Sequence, residues 1–241
     1  MNSIKDFYQK YWQWRRDANY LYRNWIPPRL NIALDMILQD EVNWNEGINI
    51  LDIGCGEGTF GKLVREKLKP NNVYLVGLDI SSIAIELASN YYDTLYVIDV
   101  ENENFINTLK TNFDYVICLE TLEHVFDPEV ILKKVESILK PKGYLITSFP
   151  NFAFYKDRLT VLMGEFPLKG QHLYSDVEHL HYFTWKSFSF MLLKSGFEIE
   201  SVEADCGLFS KFIKIVPLKI RKKLFTILGK QIVIKARQSG L

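Results

Sequence analysis

Glu120, Glu123 and His124 stand directly after an apolar run, Phe113 to Leu119, that reads as a strand. Spacings of three and four residues bring side chains to one side of a helical turn. Two carboxylates and an imidazole would then point together from the end of that strand. Farther along, His179-Leu-His181-Tyr-Phe-Thr-Trp185 supplies His181, and Asn151 follows another apolar run, Tyr144 to Phe149. This group can move a proton: His124 or His181 acts as general base, with a glutamate orienting it. The other reading is structural. Glu123 and His124 then close the turn before Asp127, and His181 packs in a loop.

A proton-moving group needs a ligand held beside it, and Ile50 to Phe60 is built to hold one. The apolar run Ile48, Ile50, Leu51, Ile53 carries Asp52 and breaks into Gly54, Gly56 and Gly58 before a helix-forming segment from about Thr59 to Leu68. Glycine permits positive φ and lets a ligand lie against the backbone. The helix start beyond offers free N–H groups. A strand–turn–helix of this kind is where open α/β sheets bind nucleotide-like ligands. The dinucleotide fingerprint is G-x-G-x-x-G/A. Here the spacing is G-x-G-x-G, with Thr59 where the last small residue belongs, which counts against an NAD-dependent oxidoreductase.

Asp52-Ile-Gly54-Cys-Gly56 resembles motif I of the class I S-adenosylmethionine (SAM) methyltransferases. The resemblance implies that Asp52 and the glycine loop hold the amino-acid end of SAM, that Asp79 takes the ribose hydroxyls and that Asp99 reaches the adenine amino group. The implied cofactor site comprises Asp52, Gly54, Cys55, Gly56, Asp79, Ile80, Asp99, Val100 and Leu119. Asp79 and Asp99 can each also be read as a helix cap.

The segment Leu119-Glu-Thr-Leu-Glu-His-Val125, followed later by His181-x-Phe-Thr184, is similar to the ubiquinone-pathway O-methyltransferases and methionine-pathway methyltransferase-like proteins. It is also similar to the small-RNA 3′-end methyltransferases, in which Glu-x-x-Glu-His and a distant His bind a divalent metal. This resemblance implies Glu120, Glu123, His124 and His181 as ligands for Mg²⁺, Mn²⁺ or Zn²⁺. It implies His124, His181 and Glu123 as the catalytic residues of an O-methylation. The expected acceptor is a hydroxyl on a small molecule, a glycan or a lipid-linked compound. A protein that binds SAM without transferring its methyl group, or a membrane-bound scaffold, is the alternative.

The elements that must position these groups alternate along the chain. Val73 to Leu78 reads as a second strand ending at Asp79, Leu95 to Ile98 as a third, and Phe113 to Leu119 as a fourth. Asp127-Pro128 then gives a helix N-cap and first position. Lys140-Pro-Lys-Gly143 ends that helix before the strand Tyr144 to Phe149. Phe197 to Glu203 and Gln231 to Ala236 complete seven strands. This pattern predicts an α/β fold, a Rossmann-like doubly wound sheet with helices on both faces. All 241 residues are expected in one domain, with a helical cap over 1–44, a lid insertion over 150–182 and a basic amphipathic segment over 207–229. The aromatic and cationic residues before Trp25 pack on the sheet, or cap the cofactor with Tyr11, Tyr20 or Arg29 on its carboxylate.

Apolar residues make up 48% of the chain, enough for a sizeable core, and 24% are charged. A net charge of zero hides an asymmetry. Nine basic and no acidic residues lie from Cys206 onward, which leaves 20 basic against 29 acidic elsewhere. A basic amphipathic helix can lie in a membrane interface. It can equally cover the sheet. Nucleic acid is not expected, because no RNA-binding motif accompanies these cations. Three scattered cysteines suit a reducing compartment, and Met1 to Tyr8 lacks the apolar core of a signal peptide. The expectation is a cytoplasmic protein, with the basic segment as its route to a membrane surface.

Overall fold

A computed structural model describes residues 4–20, 25–40, 46–68, 72–101, 105–167 and 179–239. Residues 69–71, and residues 168–178 of the expected lid, lie outside these residues. Seven strands form one sheet: β1 (Ile48–Ile53), β2 (Val73–Asp79), β3 (Thr94–Val97), β4 (Phe113–Leu119), β5 (Leu139–Pro150), β6 (Phe197–Asp205) and β7 (Gln231–Gln238). Their order is β3-β2-β1-β4-β5-β7-β6. Strands β1 to β5 are parallel, while β7 runs antiparallel to both its neighbours. The expected doubly wound sheet of seven strands is present, with its last strand in sequence reversed against both neighbours. Hydrophobic periodicity marks a strand but carries no direction.

The central strands read as nearly continuous apolar runs because both of their faces are covered. Alternate residues of β1 feed opposite cores. Leu51 and Ile53 pack with Val76, Val116 and Cys118 on one face. Ile48 and Ile50 pack with Leu75, Tyr115 and Ile117 on the other. The first face is closed by α6 (Pro128–Ile138) and α8 (Trp185–Lys194), through Ile131, Val135, Phe188 and Leu192. The rings of Phe149 and Phe188 stack 4.3 Å apart there. The second face is closed by α2 (Pro28–Leu38) and α3 (Thr59–Lys67), through Leu34, Ile37, Leu63 and Val64.

Local capping explains where several helices begin. Asp127 Oδ1 accepts from the Val130 N–H, with Pro128 at the first helical position. Thr184 and Ser187 form a reciprocal capping box at α8. Ser81 caps α4 (Ser82–Ala88). Strand β5 begins at Leu139, five residues before the expected start, and Lys142 takes a left-handed φ of 69° within it. The pairing with β4 shifts register between Phe113 and Tyr115. The chain thus continues as an irregular strand where Pro141 and Gly143 suggest a turn.

The remaining helices are α1 (Ile4–Asp17), α5 (Phe105–Thr108), α7 (Tyr155–Leu162), α9 (Ser210–Lys214) and α10 (Leu218–Leu228). No helix of the described residues is long and apolar enough to cross a membrane.

Candidate functional site

Strand β1 ends in a backbone cradle. Gly54 and Gly56 adopt φ of 73° and 55°, a region costly to residues with a Cβ. The space around them is also taken. A Cβ on Gly54 would lie 2.6 Å from Thr121 Oγ1, and one on Gly56 would lie 2.8 Å from the Trp12 ring. The Gly54 and Cys55 N–H groups donate to the Leu78 carbonyl at 2.8 and 2.9 Å, which ties the loop to β2. Asp79 completes the tie. Its Oδ2 accepts from Gly56 N–H at 3.0 Å and its Oδ1 from Ser81 N–H at 2.8 Å. It is Ser81, not Asp79, that caps α4.

Both acids of this cradle are buried. The Tyr92 hydroxyl donates to Asp52 Oδ2 at 2.5 Å and accepts from Gly61 N–H at 3.2 Å. Burial pushes the Asp52 carboxyl up to about 7, against the pull of the Tyr92 hydrogen bond, and the nearby Asp79 charge adds to the rise. Burial likewise raises Asp79 to about 6, opposed by the Ser81 and Gly56 N–H groups. A cation arriving at this wall would favour the ionised form of both carboxyls, which then supply its counter-charge.

That wall belongs to a cavity of about 480 Å³, within the range typical of small-molecule sites. Gly54, Cys55, Gly56, Asp79, Ile80, Asp99, Val100 and Leu119 all line it with Asp52. Asp99 lies at its exposed side and caps its own turn through Glu101 N–H at 2.9 Å.

Helix α1 closes the cavity from above. It lies across the glycine loop and α4. Gln9 accepts from Ser81 Oγ at 3.0 Å and donates to Ser82 Oγ at 2.8 Å. Tyr8, Tyr11, Trp12 and Arg15 face the cavity. The buried Arg15 donates to the Tyr11 hydroxyl and lies 5.2 Å from the Trp12 ring centre. Arg29 from α2 also reaches the wall, and its Nε has no hydrogen-bond partner among the described residues. Of the three expected contacts to a ligand carboxylate, Tyr11 and Arg29 are on the wall. Tyr20 is exposed and packs against Trp14 instead. Arg15 escaped the sequence reading because nothing in its spacing separates it from the neighbouring surface cations.

Glu120, His124 and His179 line the same cavity. Glu120 takes a left-handed φ of 54°, rare for a residue with a side chain. Its Oε2 accepts from Gln231 Nε2 at 2.8 Å. The chain then makes a single 3₁₀ turn, Leu122–His124, so Glu120 and Glu123 do not share one α-helical face. Glu123 is fully buried and is not on the cavity wall. Its two carboxyl oxygens have no hydrogen-bond partner among the described residues. Burial, then the charge of Glu120, hold its carboxyl well above the ordinary glutamate range. The Leu180 and His181 N–H groups both donate to the Glu123 carbonyl, at 2.8 and 3.1 Å.

This contact delivers His179, whose ring lies 4.7 Å from that of His124. Glu123, His124 and His179 each offer a donor atom within 4.8 Å of the others, and both histidines line the cavity. His181 does not join them. Its Nε2 faces the Val125 and Phe126 carbonyls at 2.9 and 3.3 Å, and its ring stacks on Phe183. Carbonyls only accept, so that nitrogen carries the proton. Of the expected set of Glu120, Glu123, His124 and His181, only Glu123 and His124 belong to this cluster; His179 stands in place of His181, and Glu120 turns to Gln231 instead. Asn151 is also withdrawn from the rim. It is buried and donates to the Thr226 and Gly229 carbonyls, while Lys230 and Gln231 reach the cavity.

Residues 15–202 match the family described as a methyltransferase domain. A ubiquinone biosynthesis O-methyltransferase of Coxiella burnetii (strain Dugway 5J108-111) is 29% identical over 141 residues, covering 56% of this chain and 58% of that protein. One from Histophilus somni (strain 2336) is 30% identical over 158 residues, 61% of this chain and 65% of that protein. The chain thus matches under two thirds of the length of these curated relatives. Among solved structures, an S-adenosylmethionine-dependent methyltransferase from Clostridium acetobutylicum ATCC 824 superposes with a TM-score of 0.62 at 16% identity, covering 96% of this chain and all of that one. A magnesium protoporphyrin IX methyltransferase from Synechocystis PCC 6803, with bound S-adenosylhomocysteine, gives 0.59 at 18% identity, covering 98% of each chain. These two share the fold.

Proposed function

The chain belongs to the methyltransferase domain family, and we propose that it moves the methyl group of SAM to a hydroxyl oxygen. The observation that carries this reading is one cavity lined both by the glycine loop and Asp52 and by His124 and His179. Oxygen as the acceptor atom is supported by the relatives named for ubiquinone biosynthesis O-methylation.

SAM supplies an electrophilic methyl group on a sulfonium and a thioether leaving group. The protein's own work is alignment and proton removal. Asp52, on the cavity wall, would hold the ligand's ammonium. Asp79 offers its remaining lone pairs to the ribose hydroxyls, while its two backbone hydrogen bonds keep it in place. Arg29, and Arg15 from α1, present cations to the carboxylate. His124 lies on the cavity wall and takes the proton of the acceptor hydroxyl, with His179 beside it and the Glu123 carboxyl behind. His181 fastens the turn by donating to Val125 and Phe126.

A divalent cation is a second part of the proposal. Two imidazoles and a carboxyl with both oxygens unbonded form a donor set that fits Zn²⁺ or Mn²⁺ better than Mg²⁺, which prefers oxygen ligands. Such an ion would lower the pKa of an acceptor hydroxyl. Cation binding by the isolated protein, measured by calorimetry, should vanish in His179→Ala and persist in His181→Ala.

The test of transfer is the release of S-adenosylhomocysteine from SAM with a panel of phenols, sugars and prenylated phenols. His124→Ala should lower kcat by roughly 10²–10⁴ while leaving S-adenosylhomocysteine affinity within about twofold. Turnover unchanged in that variant would remove His124 from the chemistry.

A further inference from the structure

Two glycines lie where no turn requires them. Gly61 is inside α3 and Gly77 inside β2, and neither takes a positive φ. Glycine weakens helices and strands alike, so each position asks for another cause. One side chain supplies it. A Cβ on Gly61 would lie 2.5 Å from the Tyr92 ring, and one on Gly77 would lie 3.0 Å from it, with Leu95 and Cys55 also close. The two missing side chains form a slot, and the buried ring of Tyr92 fills it.

The slot leads to Asp52. Gly77 is the register partner of Asp52 on β2, so the gap opens on the face from which the Asp52 side chain projects. The ring passes over that gap, and its hydroxyl donates to Asp52 Oδ2 at 2.5 Å. The hydroxyl is also held from behind. Gly61 N–H, a first-turn donor that α3 cannot pair internally, donates to it at 3.2 Å. An oxygen that accepts one hydrogen bond donates the next more strongly. Its single proton is committed to Asp52.

We propose that Tyr92 acts through Asp52 as the positioning residue for the ammonium of SAM: it occupies Oδ2, leaves Oδ1 to the ligand, and favours the charged carboxylate that the ammonium needs. The inference rests on the reading of Asp52 as the ammonium's partner. A hydrogen bond given to a carboxylate stabilises its ionised form. Burial, with the Asp79 charge from β2, pushes Asp52 up to about 7 even with this bond in place. The other titratable neighbours are the Cys55 and Cys118 thiols, raised chiefly by burial and therefore neutral. The cavity wall adds Glu57 from the loop, Tyr11 and Arg15 from α1, and Arg29 from α2. Without the Tyr92 hydroxyl, Asp52 keeps its proton to a higher pH.

Calorimetric titration of the full chain with S-adenosylhomocysteine across neutral pH tests the proposal. Affinity should rise with pH as Asp52 ionises, and Tyr92→Phe should move that rise to higher pH. The loss should be roughly five- to tenfold at about pH 7 and within about twofold at about pH 8.5. Asp79, at about 6, titrates lower in the profile of both proteins. Fluorotyrosine placed at position 92, a more acidic phenol of nearly the same size, should move the rise to lower pH. It keeps the slot filled, and so gives the answer even where Tyr92→Phe folds poorly. Methylthioadenosine has the nucleoside and the thioether but not the amino-acid end. It should bind wild type and Tyr92→Phe within about twofold of each other.

Identical pH profiles in wild type and both Tyr92 variants would overturn the proposal. So would an equal loss of methylthioadenosine, which marks a loosened loop rather than a misplaced charge. A further loss beyond about threefold when Tyr92→Phe is added to Asp52→Asn would also overturn it, since a residue acting through Asp52 then has nothing to act on. No S-adenosylhomocysteine binding by wild type would remove the methyl-transfer reading and this inference with it. Wild-type binding that is indifferent to the Tyr92 hydroxyl would remove this inference alone.

Discussion

Asp52 holds an unstable position until a cation arrives. Its carboxyl is buried, bonded to Tyr92, and raised to about 7 chiefly by desolvation. A raised carboxyl favours the folded state below its unfolded value, near 4, and loses that contribution as pH rises through 7. The ligand-free protein should therefore lose stability between about pH 4 and 7 from this group, and Asp52→Asn should melt higher than wild type at pH 8. Each kcal/mol recovered corresponds to roughly 2–4 °C in a chain of this size. Ligand binding reverses the sign. An ammonium beside Asp52 lowers its pKa, so binding near pH 7 should release protons and tighten as pH rises. Calorimetry in phosphate and in Tris should give different apparent enthalpies, and Asp52→Asn should remove most of the difference.

The three acids Asp52, Asp79 and Glu123 were legible as single letters because each follows a strand or an apolar run. The choice of His179 over His181 was not. Two histidines in His-Leu-His differ only in which way the backbone turns, and that turn is set by the Leu180 and His181 N–H bonds to the Glu123 carbonyl, far back in the chain. Glu123 also proved deeper than its spacing implied, since a 3₁₀ turn rather than an α-helix follows β4.

Elements whose ends are written locally were read closely. Asp127-Pro128 starts α6, and Gly196 directly follows α8 and Ser195. Strand β4 spans the expected residues, Phe113–Leu119. Helix α1 is the element whose place could not be read, because aromatic side chains at helical spacing serve a sheet and a cavity equally well. Its position gives it a function as the cavity's roof, with Trp12 against Gly56. Trp12→Ala should weaken S-adenosylhomocysteine binding roughly tenfold or more, by removing about 1.5–3 kcal/mol of apolar contact shared between roof and loop. Its dissociation rate, by stopped-flow competition, should rise by a similar factor. Gly56→Val introduces a Cβ toward the Trp12 ring and should loosen the same roof from the opposite side.

At the scale of the molecule, the direction of β7 and the segregation of charge go together. The connection from β6 back to β7 carries α9 and α10, and Gln231 at the start of β7 meets Glu120 at the cavity. The most basic segment of the sequence therefore ends at the site rather than away from it. The asymmetry itself could be counted in the sequence, but the arrival of Lys230 and Gln231 at the cavity depended on β7 pairing between β5 and β6.

The most direct measurement is calorimetric titration of the full chain with S-adenosylhomocysteine, alongside NADH under the same conditions. Binding of S-adenosylhomocysteine at micromolar strength or better, lost in Asp79→Ala and accompanied by no heat with NADH, is the predicted result. A folded sample that ignores S-adenosylhomocysteine, or prefers NADH, would contradict the assignment of the glycine loop on which the account is built.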